Sequence, residues 1–471
     1  MKVVKNFLWN AGYQLFVLII PFITIPYINR VLGPNGVGIN SYTNSIVQYF
    51  ILLGSLGINI YGNREIAYYR EDMQKRSKTF WEIATLRFFA ILISVLLYIV
   101  FISFTHTYRF IFILQGIMLL GTAFDISWFF QGMENFKVTV LRSTLVKVIS
   151  LGAIFLFVKN PSDTWIYVLI LALSQALGFI TLWPYLRGQV RFVKIKLVGV
   201  VQHLKPTLTL LIPQIATQVY LQLNKTMLGS MNGVAASGFY DNSDKMVKML
   251  LAIVTATGTV LLPHVANNFA KGKIDAVKSS LVTSMHVILV MAFPMTFGLI
   301  AVAHPFTALF FSSRFAPVAN LMSIESLVII FIGISNAIGT QYLLPTNQLK
   351  YYTNSVLLGS IVNIILNVPL ILAFGAMGAV IATVTSEAVI AVYQMRRVRH
   401  QVKIQALFYE TWKYAIAAVI MFVFVKLSST AVGSGVLGIA LQILIGVIIY
   451  LSVLFVMKPD YLIRLLLKRI K

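Results

Sequence analysis

The sequence predicts an all-α protein that crosses a membrane many times. Of its 471 residues, 58% are hydrophobic and only 11% are charged, and the mean hydropathy is +0.85. Soluble proteins carry roughly 25% charged residues. Apolar runs of about 18 or more residues recur along the whole chain, as is typical of membrane-spanning helices. Because these runs are continuous rather than alternating, they favour helices over a closed β-barrel.

We predict about fourteen spanning helices from the positions of the apolar runs. Their approximate spans are residues 9–31, 38–61, 80–104, 109–133, 140–158, 165–186, 206–229, 238–263, 281–303, 317–343, 353–375, 377–395, 413–430 and 436–457. Because the count is even, both termini lie on the same side of the membrane.

The distribution of basic residues predicts which side that is. The segments 62–79, 187–205 and 458–471 all lie on the side of the termini, and each carries five Lys or Arg residues. The loops on the other side are short and hold few basic residues. This positive-inside asymmetry predicts cytosolic N- and C-termini. It also accounts for most of the net charge of +24, so no nucleic-acid partner is required.

An internal repeat divides the predicted helices into two lobes. The stretch NRVLGPNGVGINSYTNS, Asn29 to Ser45, resembles NKTMLGSMNGVAASGFYDNS, Asn224 to Ser243, in its Leu-Gly, Asn-Gly-Val and Tyr-x-Asn-Ser elements. Both copies fall on an outer hairpin, and six helices separate them, so the two halves share one orientation. We therefore predict two parallel six-helix lobes, 1–200 and 201–400, followed by two further helices and a basic tail over 401–471.

The eighth predicted helix, 238–263, carries charges inside its outer half. Asp241, Lys245 and Lys248 share one helical face, and Asp241 and Asp244 each precede a lysine by four residues, the favourable order for an ion pair. A helix that began after these charges would be only about fifteen residues long, too short for a span. We predict that the charges face a water-filled cavity, because such charges rarely face lipid. An interfacial position or a purely structural ion-pair cluster are the alternatives.

Other polar residues inside the predicted helices are further candidates. Arg30 and Lys225 occupy matching positions in the two repeat copies, where snorkelling at the interface is the alternative to lining a cavity. Asn44 lies in the polar outer half of the second helix. Four more residues are candidates for gating or ion coupling, or else for satisfied packing partners: Arg87, Asp125, Glu325 and Glu387.

The sequence also excludes several kinds of chemistry. There are no cysteines, which excludes disulfides, thiol catalysis and Cys-zinc sites. No G-x-x-x-x-G-K loop is present, so we predict no intrinsic ATPase activity, and the six histidines show no ligand spacing, so we predict no metal and no cofactor. We also predict that the chain is not an enzyme. Basic residues outnumber carboxylates among the highest-ranked cavity residues. Such a cavity favours an anionic solute, above all a phosphate.

Several further stretches are distinctive: FDISWFFQGMENFKVTVLR, GFYDNSDKMVKML and QYLLPTNQLKYYTNSVLLGSIVNIILNVPLI. Together with the first hairpin, they resemble the polysaccharide transporter family of the multidrug/oligosaccharidyl-lipid/polysaccharide exporter superfamily. The resemblance implies a twelve-helix core of two lobes, two extra helices, and a central cavity lined by predicted helices 1, 2, 7 and 8. It implies a flippase that moves undecaprenyl-diphosphate-linked oligosaccharide units from the inner to the outer leaflet of a bacterial plasma membrane by alternating access.

The resemblance leaves the glycan open among capsule, exopolysaccharide and teichoic acid precursors. It implies membrane lipid and the lipid-linked glycan as partners, with a polysaccharide polymerase or assembly proteins as further candidates. The residues expected to bind the substrate are Arg30, Asn44, Lys225, Asp241, Lys245 and Lys248. A multidrug or cation antiporter of the same superfamily and a lipid II flippase are the alternatives. A membrane glycan polymerase has the least support, since the outer loops are short.

Overall fold

The computed structural model describes the backbone of residues 2–433 and 435–460. Side chains are described over the same ranges except at 2–19, 136–137, 212–213, 216–217 and 257–264. Within these ranges the chain is helical and contains no β-strand. Most of the predicted basic tail, 461–471, lies outside the described residues.

The first of two compact units comprises Met1–Ser230. Its helices are α1 (Lys2–Ser55), α2 (Ile58–Tyr68), α3 (Met73–Phe104), α4 (Arg109–Thr122), α5 (Ser127–Gly132), α6 (Phe136–Phe157), α7 (Thr164–Ile180), α8 (Leu197–Val201) and α9 (Leu204–Met231). Two short 3₁₀ helices, Pro161–Asp163 and Trp183–Leu186, flank α7.

α1 covers the first two predicted helices, and a break at Gly33 divides it into two parts. Gly33 has φ 68° and ψ −178°, a backbone conformation that is confined almost entirely to glycine. Pro34 follows it and has no backbone N–H to donate. The kink therefore falls where the sequence predicts the turn between the two helices.

The start of α3 is fixed by a side-chain cap. The Asp72 carboxylate accepts hydrogen bonds from the backbone N–H groups of Gln74 and Lys75. These bonds satisfy donors that the first helical turn leaves without an intrahelical partner. The hydrogen bond from the Lys75 backbone is the main reason that the pKa of Asp72 lies below its ordinary value.

Two apolar clusters pack the helices of the first unit. One joins α3 to α5, where the rings of Phe80 and Trp128 stack with centroids 5.6 Å apart. The other joins α1, α3 and α4 through Val47, Tyr98 and Leu119. All five side chains are buried, so burial of apolar surface holds these helices together.

α9 runs antiparallel to the second part of α1. Thr226, near the end of α9, has its Oγ1 2.8 Å from the Oγ of Ser45. At the far end of α1, a β-carbon on Gly57 would lie 2.8 Å from the carbonyl oxygen of Thr207, near the start of α9. The seventh predicted helix, 206–229, corresponds to α9, so it packs directly on the second predicted helix.

The second compact unit comprises Met231–Lys471. Its helices are α10 (Val234–Ala270), α11 (Ile274–Phe310), α12 (Ala316–Glu325), α13 (Val328–Ser335), α14 (Leu349–Phe374), α15 (Ala376–Val398), α16 (Ile404–Leu407), α17 (Thr411–Val432) and α18 (Val436–Met457). α14 packs along α15, and α17 packs against α11 and α18. A π-helix, Asn336–Leu343, follows α13 and contacts α10, α11, α14 and α15.

The structure has the features of a multi-pass membrane protein. Among the described residues, 11 helical stretches are long and apolar enough to cross a membrane by length and composition. The first of them, Ile20–Tyr68, includes the kink of α1 and all of α2. The predicted fold class is thereby confirmed. The count of fourteen helices, the side of the termini and the three-part division of the chain stay predictions.

Candidate functional site

Two ion pairs lie along the first turns of α10. The Nζ of Lys245 is 2.5 Å from an Asp241 oxygen, and the Nζ of Lys248 is 2.8 Å from an Asp244 oxygen. The carboxylates are buried, whereas the lysine side chains are 42% and 43% exposed. The four charges therefore sum to zero, and the lysine side chains are the accessible part of the cluster. The spacing of four residues in the sequence does predict this pairing.

Glu325 and Glu387, the two acidic gating candidates of the second unit, are buried. Ser243 of α10 donates a hydrogen bond from its Oγ to Glu325, the last residue of α12. The hydroxyl of Tyr240 lies 3.4 Å from the Oγ1 of Thr383 on α15, one helical turn before Glu387. The polar stretch of α10 thus contacts α12 and α15. Both are helices on which the sequence places candidate gating residues.

The other predicted substrate-binding residues lie in the first unit, on α1 and α9. Asn44 is half-buried and bonds at 3.5 Å to the Sδ of Met118 and to the side chain of Gln48. Thr226 of α9 bonds to Ser45, and the neighbouring Lys225 is half-buried. Arg30, three residues before the kink, is exposed.

A buried ion pair joins Arg87 and Asp125. The Arg87 side chain is 1% exposed, with its Nη1 3.4 Å from an Asp125 carboxylate oxygen and also bonded to the Asp125 carbonyl oxygen. Its Nη2 donates to the Oδ1 of Asn59 at 2.7 Å. The sequence gives these two charges as separate candidates. In the structure they form one pair, and through it Arg87 of α3 is linked to the residues between α4 and α5. The bond to Asn59 links Arg87 to α2 as well.

A buried hydrogen-bonded chain of three side chains was not predicted from the sequence. The hydroxyl of Tyr61 lies 2.6 Å from Nδ1 of His203, whose Nε2 lies 3.2 Å from a Glu82 carboxylate oxygen. The chain ties the segment before α9 to α2 and α3. Lys78 approaches the other Glu82 oxygen at 3.9 Å. No regular spacing connects these positions, so no sequence pattern could have shown them.

The π-helix forms a second unpredicted polar cluster. Ser284 of α11 donates to the Oε1 of Gln341, whose Nε2 donates to the Oδ1 of Asn336 at 2.8 Å. Ser284 and Gln341 are buried. Segments of π-helix are frequent at functional positions of helices. Among the described residues, no group of three or more His, Asp or Glu side chains is arranged to hold a metal ion.

Comparison with known proteins identifies the family. Residues 3–269 match the family described as "Polysaccharide biosynthesis protein". The chain belongs to this family. It is also similar to the "Putative O-antigen transporter" of Shigella dysenteriae, with 24% identity over 404 residues that cover 83% of this chain and 98% of that protein. The resemblance read from the sequence is thereby confirmed.

The fold is that of known membrane transporters. The structure of the lipid II flippase MurJ in an inward closed conformation matches with a TM-score of 0.80 at 16% identity, covering 97% of this chain and 100% of that one. An inward-facing multidrug transporter of the MATE family matches with a TM-score of 0.52 at 13% identity, covering 83% and 99%. These proteins are named as transporters or flippases and not as enzymes, in agreement with the prediction.

Proposed function

We propose that this chain is a flippase that moves a lipid-linked glycan across the membrane for polysaccharide synthesis. The observation that carries the proposal is the match over nearly the full length of an O-antigen transporter, on a chain that has the fold of a lipid II flippase. Multidrug transport receives less support, because the multidrug transporter matches less well in fold.

In more detail, we propose an undecaprenyl-diphosphate-linked oligosaccharide as the substrate, moved from the inner to the outer leaflet by alternating access. The proposed contacts to the headgroup are Arg30, Asn44 and Lys225 in the first unit, and Asp241, Lys245 and Lys248 in the second. The finding that supports the last three is the pairing on α10, where partly exposed lysine side chains accompany buried carboxylates.

The paired lysines can bind a phosphate without losing their carboxylates. An ammonium group has three N–H donors, and Asp241 or Asp244 occupies one side of each lysine. The remaining donors are available to phosphate oxygens. Because each carboxylate cancels the charge of its lysine, the attraction for the diphosphate is moderate. Transport requires such moderate binding, since a substrate must leave as readily as it enters.

Two sources of energy fit this proposal. Outward movement of negative charge is favoured by about 2.3 kcal/mol per charge for each 100 mV of inside-negative potential. An antiported proton or sodium ion is the alternative, with Asp241, Glu325 or Glu387 as proposed carriers. Arg87 and Asp125 are proposed gating residues, because their ion pair joins three helical segments.

The test is a flipping assay in liposomes that contain a fluorescent undecaprenyl-diphosphate oligosaccharide. Quenching of outer-leaflet label is followed for the wild type, for Lys245→Ala with Lys248→Ala, and for a control with Lys271→Ala and Lys273→Ala. The control lysines are exposed, at the end of α10 and beyond it. We expect the first variant to lose flipping and the control to keep it, while both elute from a size-exclusion column like the wild type.

Three other results would change the proposal in different ways. Equal flipping by both variants would keep the flippase and remove the α10 lysines from the headgroup site. Uptake of a cationic dye by a well-folded wild type that flips no glycan lipid would indicate a multidrug exporter. Faster flipping of lipid II than of any oligosaccharide carrier would indicate a lipid II flippase, the second candidate that the MurJ fold favours.

A further inference from the structure

The segment before α9 is fastened across the first turns of α3. We call residues 187–201 the strap. The Arg76 guanidinium donates two hydrogen bonds to the carbonyl oxygen of Gln189, at 3.1 and 2.8 Å. The backbone of Arg191 donates to the Oγ of Ser77 at 3.0 Å and accepts from the indole Nε1 of Trp81 at 3.1 Å. One side of the strap, here called its inner side, therefore faces α3. Its outer side faces away from α3.

The outer side of the strap combines large apolar side chains with cations. Phe192 is 83% exposed, Val198 80% and Leu197 68%. The basic side chains on the same segment are all exposed: Arg187, Arg191, Lys194 and Lys196. The segment contains no Asp or Glu. Bulky apolar groups interleaved with Lys and Arg are typical of segments that lie in the membrane interface.

A series of aromatic contacts connects the strap to the apolar outer surface of α3. Phe192 contacts Trp81, with ring centroids 5.5 Å apart, and Trp81 contacts Trp183 at 6.3 Å. Trp183 in turn contacts Phe88 at 6.2 Å. From Phe88 onward α3 exposes a series of apolar side chains that includes Leu92, as expected of a lipid-facing helix. Tryptophans are enriched at the boundary between lipid and water.

We propose that the strap binds the headgroups of anionic phospholipids at the membrane surface. Phe192, Leu197 and Val198 enter the boundary of the acyl chains, while Arg191, Lys194 and Lys196 contact lipid phosphates. Charge complementarity and the continuity with the apolar surface of α3 favour a lipid over an acidic soluble protein. An acidic protein would match the cations but would leave the apolar side chains without a partner.

Lipid bound to the strap would act on the start of α9. The strap ends two residues before His203, whose ring bonds to Tyr61 and Glu82. A headgroup held on the outer side would therefore restrain the segment that leads into α9. The proposal does not depend on which glycan the protein moves, or on whether it moves one.

The absence of cysteines permits a direct test on the full chain. Phe192→Cys is labelled with a bimane fluorophore, and the protein is reconstituted in nanodiscs with lipids brominated in the acyl chain. We expect brominated phosphatidylglycerol to quench the label at lower mole fraction than brominated phosphatidylcholine. One cation near the surface favours an anionic lipid by about fivefold.

Matched charge variants then identify the binding residues. In the labelled background, Arg191→Gln, Lys194→Gln and Lys196→Gln together should abolish the preference for phosphatidylglycerol. Lys271→Gln, Lys273→Gln and Lys350→Gln remove the same charge from exposed positions elsewhere and should leave the preference unchanged.

Several outcomes would overturn the proposal. Equal quenching by both lipids would exclude an anionic-lipid site. No quenching by either lipid would show that the strap lies away from the bilayer. A soluble acidic protein would then be the favoured partner. If both charge variants lost the preference for phosphatidylglycerol equally, the preference would depend on the net charge of the protein and not on the strap. If the variant with the three strap substitutions fails to fold, the comparison of the two lipids in the Phe192→Cys protein still tests whether the strap prefers an anionic lipid.

Discussion

The two copies of the internal repeat place one motif on two helices that differ in chemistry. Counting back from Tyr240 to Tyr42 aligns the charged stretch of α10 with α1. When each copy is extended by five residues along its helix, the positions of Asp244, Lys245 and Lys248 in the second copy correspond to Ile46, Val47 and Phe50 in the first. Val47 is fully buried in an apolar cluster, whereas the lysines are partly exposed. The repeat thus preserves a helical position, while the pairs of Asp and Lys belong to α10 only.

The glycines of the motif also exchange roles between the copies. In the first copy Gly33 has φ 68° and breaks the helix, while a β-carbon on Gly36 would lie 2.6 Å from the Oγ1 of Thr164. In the second copy Gly229 packs on the ring of Tyr42, and Gly233 has φ 87°. The motif therefore predicts that a break occurs, but not which glycine makes it.

The largest effect is expected when the charge of the second copy is moved to the first. Val47→Lys would bury an ammonium group without a carboxylate four residues before it. Leaving a buried charge uncompensated costs about 3–5 kcal/mol. We expect no folded protein, or a strongly lowered thermal unfolding temperature in detergent. A Val47→Lys protein as stable as the wild type would mean that the two positions are equivalent after all.

The reverse exchange should remove function and preserve the fold. Replacing Asp241, Asp244, Lys245 and Lys248 by the residues of the first copy, Thr, Ile, Val and Phe, removes two complete ion pairs and leaves no charge behind. We expect flipping to fall at least about tenfold, which corresponds to roughly 1.4 kcal/mol of lost interaction. The liposome assay measures the rate, and the unfolding temperature provides the control. Unchanged flipping would show that the charges of α10 are structural.

Two substitutions of intermediate effect test the different roles of Gly233 and Gly229 in the second copy. Gly233→Ala forces a side chain into a glycine-only conformation and should cost about 1–3 kcal/mol. Gly229→Ala should cost a similar amount by overpacking against the ring of Tyr42. Only the second loss should be rescued by Tyr42→Ala in a double-mutant cycle of unfolding free energies. Rescue of both, or of neither, would contradict the assigned roles.

The smallest effect is expected when one lysine of α10 loses the carboxylate of its ion pair. Asp241→Asn keeps the shape of the side chain and releases Lys245 from its ion pair. A helical pair of this spacing contributes about 0.3–0.5 kcal/mol, so headgroup binding should tighten about twofold. The half-saturating concentration of the lipid-linked glycan in the flipping assay measures this change. Weaker binding would indicate that the contact of the Asp241 carboxylate with the headgroup outweighs the effect of its ion pair with Lys245.

Local patterns predicted the fold class, the kink region of α1 and both ion pairs of α10. Each of these depends on neighbours within a few residues, so composition and spacing carry the information. The partnership of Arg87 with Asp125 and the chain from Tyr61 through His203 to Glu82 could not be predicted. They join positions that only tertiary packing brings together. The six proposed headgroup contacts stay predictions from the sequence.

The buried pair of Arg87 and Asp125 also constrains how the chain enters the membrane during synthesis. An arginine near the centre of an inserting helix costs about 2.5–3.5 kcal/mol on insertion scales. When α3 emerges from the ribosome, Asn59 has already been made, but Asp125 has not. α3 must therefore enter with only a neutral partner for its arginine, supported by the long apolar stretch that follows. Its charge is neutralised once Asp125, which follows α4, has been made, so α3 and α4 are expected to settle in the bilayer as one hairpin.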